Sequence, residues 1–311
     1  MKILITGAGG QLGQDCLKVI GQNHTNYNNY SVYGRTSGQL NITQFDQVQR
    51  EIQALQPDVV VNCAAYTGVD TCEDENEQDV CWAVNAQGVA HLAQVCAEQG
   101  VRLIHISTDY VFAGDKPIPE PYTEQEPVHP LSMYGKSKLA GEQAIAENMD
   151  NFLILRTSWL YGMGGNNFLK TMLRLAKTNE QQTTKQSIRV VNDQYGSLTW
   201  TMTLARQIDR LLSAQLTGIA HATAEGFGTW YEGAKYFLES LGIDVSLEPC
   251  TTAQYPTPAL RPANSILENK VLKEHNVNLM QGWQQDIDAF IEQYQETLFA
   301  RTSAQPADPS R

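Results

Sequence analysis

The sequence predicts an α/β fold in which a doubly wound parallel sheet is joined to a smaller mixed α/β lobe. Three observations predict it: near-continuous apolar runs typical of buried parallel strands, longer segments of helical spacing between them, and a glycine-rich turn directly after the first run. The chain has 311 residues, enough for about two domains at ~150 residues per domain.

The elements alternate along the first half of the chain. The predicted strands are residues 2–6, 31–34, 57–65, 101–108 and 151–158. The predicted helices between them are residues 11–21, 44–55, 79–99 and 134–148. Right-handed crossovers between parallel strands place ligands at the carboxyl ends of the strands. Functional residues are therefore expected at that edge of the sheet.

Composition and charge exclude several classes of protein. Lysine plus arginine is 22 and aspartate plus glutamate is 34, so the net charge is −12, which argues against nucleic-acid and anionic-membrane partners. The N-terminus does not resemble a signal peptide, and no apolar run reaches the ~18 residues of a membrane span. Six scattered cysteines without a C-x-x-C pair are typical of reduced thiols. We therefore expect a cytoplasmic protein.

A glycine-rich loop follows the first strand. Gly7, Gly10 and Gly13 form G-x-x-G-x-x-G and lead into a helix. Glycines let the backbone approach a pyrophosphate, whose charge then lies at the N–H groups of the helix start. In this context the loop predicts a Rossmann-type dinucleotide site that binds NADPH or NADH.

The residue that follows the second strand bears on the cofactor preference. Dinucleotide sites that bind NAD often have an acidic residue about 20 residues after the loop. No Asp or Glu occurs between Asp15 and Asp46, and Arg35 follows the predicted second strand instead. Since arginine binds a 2′-phosphate, this position favours NADPH over NADH, with a solvated surface arginine as the alternative.

A tyrosine–lysine pair begins the helix after the fourth strand. Tyr134 and Lys138 form Y-x-x-x-K, and their i,i+4 spacing places both on one helix face. A neighbouring ammonium is expected to lower the phenol pKa of Tyr134 toward the working range. Thr108 ends the fourth strand, so its hydroxyl is expected to lie at the same edge of the sheet and to bond a substrate carbonyl.

These motifs divide the chain. Residues 1–158 are predicted to form the dinucleotide-binding domain, to which residues 187–212 return. Residues 159–186 and 213–298 are assigned mainly to a smaller substrate lobe, with helices predicted at 230–242 and 283–298. Residues 299–311 are polar and contain proline, so a disordered tail is expected there.

The chain resembles extended short-chain dehydrogenases/reductases and, more narrowly, the dTDP-4-dehydrorhamnose reductase family. The matching stretches, in family order, are TGAGGQLG (6–13), NCAAYTGVD (62–70), STDYVFAG (107–114), YGKSKLAGE (134–142), RTSWLYG (156–162), NDQYGS (192–197), HATAEGFGTWYE (221–232) and LRPANSIL (260–267). The resemblance implies reduction of the C4 ketone of dTDP-4-dehydro-L-rhamnose by NADPH or NADH, without a protein metal in the chemistry.

The resemblance also implies roles for single residues. Thr108, Tyr134 and Lys138 match the catalytic triad of the family. The implied cofactor contacts are Gly7, Gly10, Gln11, Leu12, Gly13, Arg35, Asn41, Ile42, Ala64, Ala65, Tyr66, Tyr134 and Lys138. The implied substrate contacts are Thr108, Asp109, Trp159 and Asn167. Asn85 matches an asparagine that is often structural in this superfamily.

The chain departs from the family pattern at several positions. Asn41 replaces the usual aspartate at the adenine end, and Leu198-Thr199 replaces Pro-Thr after NDQYGS. Some members use magnesium at a dimer contact through glutamates, and the matching early position is Asp15. Magnesium is thus unsupported by this sequence, and it does not decide between a monomer and a homodimer.

Two other functions remain open at the level of sequence. The Tyr-Lys pair is shared with epimerases and with reductases of other nucleotide-sugars, so it does not discriminate among them. A related branch of the superfamily serves as a regulatory subunit of methionine adenosyltransferase and binds a dinucleotide without turning over a sugar. The intact set of Thr108, Tyr134 and Lys138 favours an enzyme.

Overall fold

The computed structural model of the chain describes residues 1–22, 30–181 and 186–302. Its strands are β1 (Lys2–Thr6), β2 (Ser31–Arg35), β3 (Val59–Asn62), β4 (Arg102–Thr108), β5 (Phe152–Thr157), β6 (Leu160–Tyr161), β7 (Ile188–Val191), β8 (Tyr195–Gly196), β9 (Thr199–Trp200), β10 (Gly218–His221), β11 (Gly228–Thr229) and β12 (Leu247–Cys250). Its α-helices are α1 (Gln11–Gln22), α2 (Phe45–Leu55), α3 (Gln78–Trp82), α4 (Gly88–Gln99), α5 (Met133–Asn148), α6 (Phe168–Glu180), α7 (Thr201–Leu212), α8 (Trp230–Ser240), α9 (Lys270–Glu274) and α10 (Trp283–Thr302).

The centre of the fold is a six-stranded sheet of order β10-β5-β4-β3-β1-β2, in which all neighbours are parallel. Successive side chains of a strand point to opposite faces, so Ile3 and Ile5 pack in a cluster with residues of α1 and α7. Leu4 packs in a second cluster with residues of α2, α4 and α5. Because both faces are covered, the strands are apolar almost throughout, and the predicted doubly wound sheet is confirmed.

The strand order reverses beside β1. The chain goes from β1 to the neighbouring β2 on one side and then crosses to β3 on the other. In open α/β sheets such a reversal leaves a crevice at the carboxyl ends of the strands. The glycine loop after β1 and the loop that begins at Cys63 after β3 both lie at this crevice.

The sixth strand, β10, was not predicted from the sequence. It pairs with β5 in the register Gly218↔Leu153. Residues 213–298 were assigned mainly to the substrate lobe, so this segment contributes to the central sheet as well. Helix α7, within the predicted returning segment 187–212, packs with α1 through Leu204 and Ile208, whereas β7 of the same segment pairs with β12 outside the sheet.

The smaller lobe has its own core. It contains short strand pairs β11-β8, β12-β7 and β6-β9, and helices α6, α8 and α10 contribute the apolar side chains between them. Phe237 and Phe290 are fully buried there. Helix α10 extends to Thr302, so the expectation of a disordered tail is wrong for residues 299–302, and residues 303–311 lie outside the described residues.

The long helix predicted over residues 79–99 has an irregular centre. A single π-helical turn spans Ala83–Gln87 between α3 and α4. Such turns occur frequently at functional sites, because they re-aim side chains within a helix. None of the helices in the described part of the chain has the length and apolar character needed to cross a membrane.

Candidate active site

The glycine loop makes a close backbone turn between β1 and α1. Gly7 has a φ of +64°, and a Cβ there would lie 2.5 Å from the Ala64 nitrogen. A Cβ at Gly13 would lie 2.3 Å from the Gly7 oxygen. Gly10 N–H donates to that same oxygen at 2.9 Å. Only glycine fits at positions 7 and 13, and the turn leaves the start of α1 facing the crevice.

The other predicted residues of this loop divide between core and surface. The side chain of Leu12 is buried in the cluster beneath the sheet, so it anchors the loop from below. Gln11 begins α1, and its Oε1 accepts a hydrogen bond from Asn167 Nδ2 at 3.2 Å. The glycine loop is therefore tied to the start of α6 in the other lobe.

The loop after β3 forms the opposite wall of the crevice. Ala64, Ala65 and Tyr66 follow Asn62, whose Oδ1 accepts from Ala64 N–H at 3.1 Å. Tyr66 N–H donates to Asn85 Oδ1 at 2.9 Å. Asn85 lies in the π-helical turn, and it holds this loop as the structural asparagine expected from the sequence.

Arg35 lies at the end of β2, beside the glycine loop. Its carbonyl oxygen accepts from Ala8 N–H at 3.0 Å. Its guanidinium pairs with Glu51 of α2, with Nη2 2.8 Å from Oε1 and with 28% of the Arg35 side chain exposed. Arg35 is thus at the right edge for a 2′-phosphate, but its charge is already shared with a carboxylate that the sequence reasoning did not consider.

The adenine end of the predicted site lies at the turn before α2. Asn41 Oδ1 accepts from the Thr43 N–H and hydroxyl at 3.1 Å and 2.9 Å. Ile42 is buried, and a Cβ at Gly88 would lie 2.7 Å from its Cγ1. Asn41 therefore stabilises its own turn, and Ile42 forms an apolar floor.

Thr108 and Tyr134 converge at the carboxyl end of β4. Ser132 caps α5 by accepting from Gly135 N–H at 3.1 Å. A Cβ at Gly135 would lie 2.3 Å from the Tyr110 oxygen, so glycine lets the helix start approach the turn that follows Thr108. The ring of Tyr134 packs edge-on against Tyr110 with ring centroids 5.5 Å apart. This packing brings together Thr108 and Tyr134, which are 26 positions apart in the sequence.

Burial and charge determine the proton affinity at this place. Tyr134 is 9% exposed, and burial, together with the nearby Asp109 carboxylate, raises its phenol pKa, while the Thr108 hydroxyl opposes the rise. Burial raises the pKa of Asp109 to about 6, against the opposing hydroxyls of Ser265 and Thr108. Thr108 Oγ1 donates to Asp109 Oδ1 at 3.0 Å. Tyr134 is therefore held as a protonated phenol at neutral pH.

Lys138 does not have the partner expected from the spacing. It lies one turn after Tyr134, and its Nζ donates to the Ile106 oxygen at 2.6 Å and lies 3.4 Å from His105 Nε2. Burial lowers the Lys138 pKa to about 8, and Glu142 opposes the shift. The expectation that the Lys138 ammonium lowers the Tyr134 pKa is thus wrong here, because burial dominates at both groups.

Two predicted substrate residues make contacts within the protein. The Trp159 ring stacks on Trp230 with centroids 3.7 Å apart, and Trp159 has a φ of +47°. Asn167 caps α6 by accepting from Lys170 N–H, and its Nδ2 donates to the Gly162 oxygen at 2.7 Å. Trp159 is half-buried and packs against the apolar core of the lobe, and Asn167 joins that lobe to the glycine loop.

Sequence reasoning missed the contact between two of the matched stretches. Arg261 Nη1 and Nη2 donate to the two oxygens of Asp70 at 2.9 Å and 2.7 Å. Asp70 ends NCAAYTGVD and Arg261 lies in LRPANSIL, so the pair fastens the second lobe over the loop after β3. The presence of both stretches in one sequence is the only signal from which this ion pair could have been predicted.

Comparison with known proteins places the chain in a family. Residues 1–296 match the family described as RmlD substrate binding domain.

The chain belongs to the RmlD substrate binding domain family.

The match to the family over residues 1–296 confirms the resemblance that the sequence motifs indicated.

The similar proteins cover most of the chain. The spore coat polysaccharide biosynthesis protein SpsK of Bacillus subtilis (strain 168) is 38% identical over 94% of this chain and 97% of that protein. The dTDP-4-dehydrorhamnose reductase of Sinorhizobium fredii (strain NBRC 101917 / NGR234) is 44% identical over 71% of this chain and 75% of that protein. The solved dTDP-4-dehydrorhamnose reductase of Bacillus anthracis str. Ames, in complex with NADP, has a TM-score of 0.86 at 37% identity. The match covers 94% of this chain and 99% of that chain.

The residues around Asp15 do not fit the magnesium contact of some family members. Asp15 is buried, and its carboxylate accepts from the Thr201 hydroxyl at 2.6 Å and pairs with Lys18 at 3.5 Å. Within residues 1–22, 30–181 and 186–302, no group of three or more His, Cys, Asp or Glu side chains could hold a metal ion. An ammonium beside the carboxylate does not suit a divalent cation.

Proposed function

We propose that this chain reduces the C4 ketone of dTDP-4-dehydro-L-rhamnose to dTDP-L-rhamnose with NADPH. The single observation that carries the proposal is the convergence of Thr108 and Tyr134 at the carboxyl end of β4, with Lys138 one turn further along α5. This site lies beside a glycine loop that only glycine can form. The relatives named dTDP-4-dehydrorhamnose reductase support the choice of substrate.

The crevice suits a dinucleotide. The cradle of Gly7 and Gly13 would be filled by any Cβ, and the start of α1 offers backbone N–H groups to a pyrophosphate. NADPH supplies a hydride when bound. The family relative solved in complex with NADP supports this choice of cofactor.

Residues of the chain itself donate the proton and position the substrate and the cofactor. Tyr134 is a phenol and is protonated at neutral pH, so it donates its proton to the oxygen that was the ketone. Thr108 orients that oxygen through its hydroxyl, and Lys138 holds the ribose side of the cofactor through Nζ. The Thr108 hydroxyl has one hydrogen, which it donates to Asp109 in this structure, so we propose that the hydroxyl turns from Asp109 to the substrate oxygen when substrate binds.

The second lobe supplies the sugar-nucleotide side. We propose that residues 159–186 and much of 213–298 form a substrate-binding unit over the dinucleotide-binding domain of residues 1–158. The Trp159–Trp230 stack presents an aromatic surface, which suits the apolar face of a deoxysugar. Asn167 joins this unit to the cofactor loop through its hydrogen bond to Gln11. The cytoplasmic location and the choice between monomer and homodimer stay predictions.

Arg35→Ala tests the preference for NADPH. Loss of a charged hydrogen bond to a 2′-phosphate is expected to raise the KM for NADPH roughly 10- to 100-fold, while the KM for NADH changes little. Steady-state kinetics with both cofactors measures the ratio. Glu51→Gln is the matched control, because it keeps Arg35 and removes the competing carboxylate, so it is expected not to raise the KM for NADPH. Equal changes for the two cofactors in Arg35→Ala would identify Arg35 as a surface residue.

The substrate is tested by NADPH oxidation with three keto-sugar nucleotides. The dTDP-linked 4-keto-L-sugar is expected to be turned over faster than its UDP and GDP counterparts at equal concentration. NADPH absorbance and NMR of the sugar product measure rate and identity. If the dTDP compound is not turned over while another nucleotide-sugar is, the chain is a reductase of different specificity. If none is reduced, and the chain co-purifies with a larger enzyme, a regulatory subunit is supported instead.

A further inference from the structure

A line of buried side chains runs beneath the active site from β1 to Lys138. Thr6 at the end of β1, Asn62 at the end of β3 and His105 in β4 are each 0% exposed, and Lys138 is 1% exposed. Asn62 Nδ2 lies 2.9 Å from His105 Nδ1, and His105 Nε2 lies 3.4 Å from Lys138 Nζ. Neither Asn62 nor His105 was singled out by a motif with a role in the chemistry.

The orientation of the Asn62 amide is fixed by its neighbours. Its Oδ1 accepts the Ala64 backbone N–H at 3.1 Å and the Thr6 hydroxyl at 2.6 Å. A backbone N–H is only a donor, so the atom it meets is the amide oxygen. The amide nitrogen therefore faces His105, and Asn62 Nδ2 donates to His105 Nδ1.

The Asn62 contact decides which ring nitrogen of His105 carries hydrogen. Nδ1 accepts, so the neutral ring carries its hydrogen on Nε2. Burial, with the nearby Lys138, holds the His105 pKa well below its usual range, so the ring is neutral. The Nε2–H then points at Lys138 Nζ.

This N–H favours one form of Lys138 over the other. A neutral amine has a lone pair that accepts from Nε2–H, whereas an ammonium has only donors. The Ile106 oxygen, 2.6 Å from Nζ, accepts a hydrogen from either form. The other titratable groups that face Lys138 are Glu142 on its own helix, and the thiols of Cys63 and Cys81. Glu142 is itself paired with Arg156 at 2.6 Å.

We propose that His105 is a positioning residue for Lys138: Asn62 locks the His105 ring with its hydrogen on Nε2, and that ring disfavours the ammonium form of Lys138. Burial acts in the same direction, because it lowers the Lys138 pKa to about 8. The link to catalysis rests on the proposed function. The ring tautomer and the titration of Lys138 are properties of the chain itself.

The Asn62→Asp variant is designed to move the His105 ring hydrogen from Nε2 to Nδ1. The carboxylate still accepts from Ala64 N–H and Thr6, but its second oxygen can only accept from His105. The ring is therefore expected to move its hydrogen to Nδ1, and Nε2 becomes an acceptor for the Lys138 ammonium. A hydrogen bond gained by a charged group is expected to raise the Lys138 titration by roughly one to two pH units. Thr6→Val is the matched control, because Ala64 N–H still fixes the amide.

The measurement is NMR of the full chain. Ring ¹⁵N shifts give the His105 tautomer, with His105→Phe to assign the signals, and ¹³Cε shifts of labelled lysine give the Lys138 titration, with Lys138→Arg to assign them. The expected result is an Nε2–H ring in the wild type and in Thr6→Val, and an Nδ1–H ring with an upward-shifted lysine in Asn62→Asp. Thermal unfolding shows that each variant is folded.

Two results would overturn the inference. The first is an Nδ1–H tautomer of His105 in the wild type. The second is an upward shift of Lys138 in Asn62→Asp that persists in full when His105→Phe is added, since the new charge alone would then act on the lysine. Failure of the proposed function looks different: the NMR results hold, but no keto-sugar nucleotide is reduced.

Discussion

Replacing Tyr134 by phenylalanine is expected to lower kcat for ketone reduction roughly 100- to 10,000-fold, the usual contribution of a positioned proton donor. The phenol is hydrogen-bonded to the Thr108 side chain, and a phenol is protonated at neutral pH. Phenylalanine keeps the ring that packs edge-on against Tyr110, so the fold and the affinity for NADPH are expected to be nearly unchanged. Steady-state kinetics gives kcat, and fluorescence titration gives the Kd for NADPH.

Tyr110→Phe is the matched control for Tyr134→Phe. It removes a phenol hydroxyl from the neighbouring ring, which is half-buried, and leaves the proposed proton donor unchanged. Its kcat is expected to stay within about tenfold of the wild type, because a hydroxyl that is not a proton donor contributes only a hydrogen bond. Activity that persists in Tyr134→Phe, or an equal loss in Tyr110→Phe, would show that the proton donor has been assigned wrongly.

Replacing Gly13 by alanine is expected to abolish NADPH binding and to destabilise the chain. The added Cβ would lie 2.3 Å from the Gly7 oxygen and 2.8 Å from the Ala8 Cα, and both are backbone atoms that cannot move aside alone. Overpacking of this kind costs about 1–3 kcal/mol. The loop would also shift away from the geometry that a pyrophosphate needs. Thermal unfolding and NADPH titration measure the two effects.

Gly21→Ala is a control within the same helix. A Cβ at Gly21 meets nothing within 4 Å, and alanine inside a helix is more stable than glycine by roughly 0.5–1 kcal/mol. This variant is therefore expected to have an unchanged or higher Tm and normal cofactor binding. If Gly13→Ala behaved like Gly21→Ala, the close approach in the glycine loop would not matter to the cofactor site.

Much of the sheet could be predicted because its sequence signal is local. Five strands were predicted within a few residues of their bounds, since a strand covered on both faces is a short continuous apolar run. Strand β10 escaped prediction because its four residues, Gly218–His221, end on a polar side chain and follow an irregular segment. The π-helical turn at Ala83–Gln87 was also missed, because it interrupts neither the helical spacing nor the hydrophobic pattern.

Site residues could be predicted to lie together where they are close in sequence or where they end a strand. Tyr134 and Lys138 share one helix face, and Thr108 ends β4, so topology alone brings them together. The electrostatics could not be predicted in this way, because burial is a property of the packed structure. The expectation for the Tyr134 pKa had the wrong sign for this reason.

Partners that are distant in sequence were also beyond prediction. Glu51 neutralises Arg35 from the following helix, and Asp70 meets Arg261 from 191 positions away. His105 lies in an apolar strand and reads as an isolated buried histidine until its contacts with Asn62 and Lys138 are seen. In each case the role of a polar side chain depends on a second group that only the fold places beside it.

Transfer of deuterium from labelled NADPH to the sugar tests the central claim most directly. The enzyme is incubated with dTDP-4-dehydro-L-rhamnose and NADPH that carries deuterium at one of the two C4 positions of the nicotinamide, in separate reactions for each position. For one of the two, the account predicts dTDP-L-rhamnose with a single deuterium at C4 of the sugar, together with stoichiometric NADP⁺. A product without deuterium at C4 from either labelled cofactor, or a change in the sugar without net oxidation of NADPH, would contradict the assignment as a C4 ketone reductase.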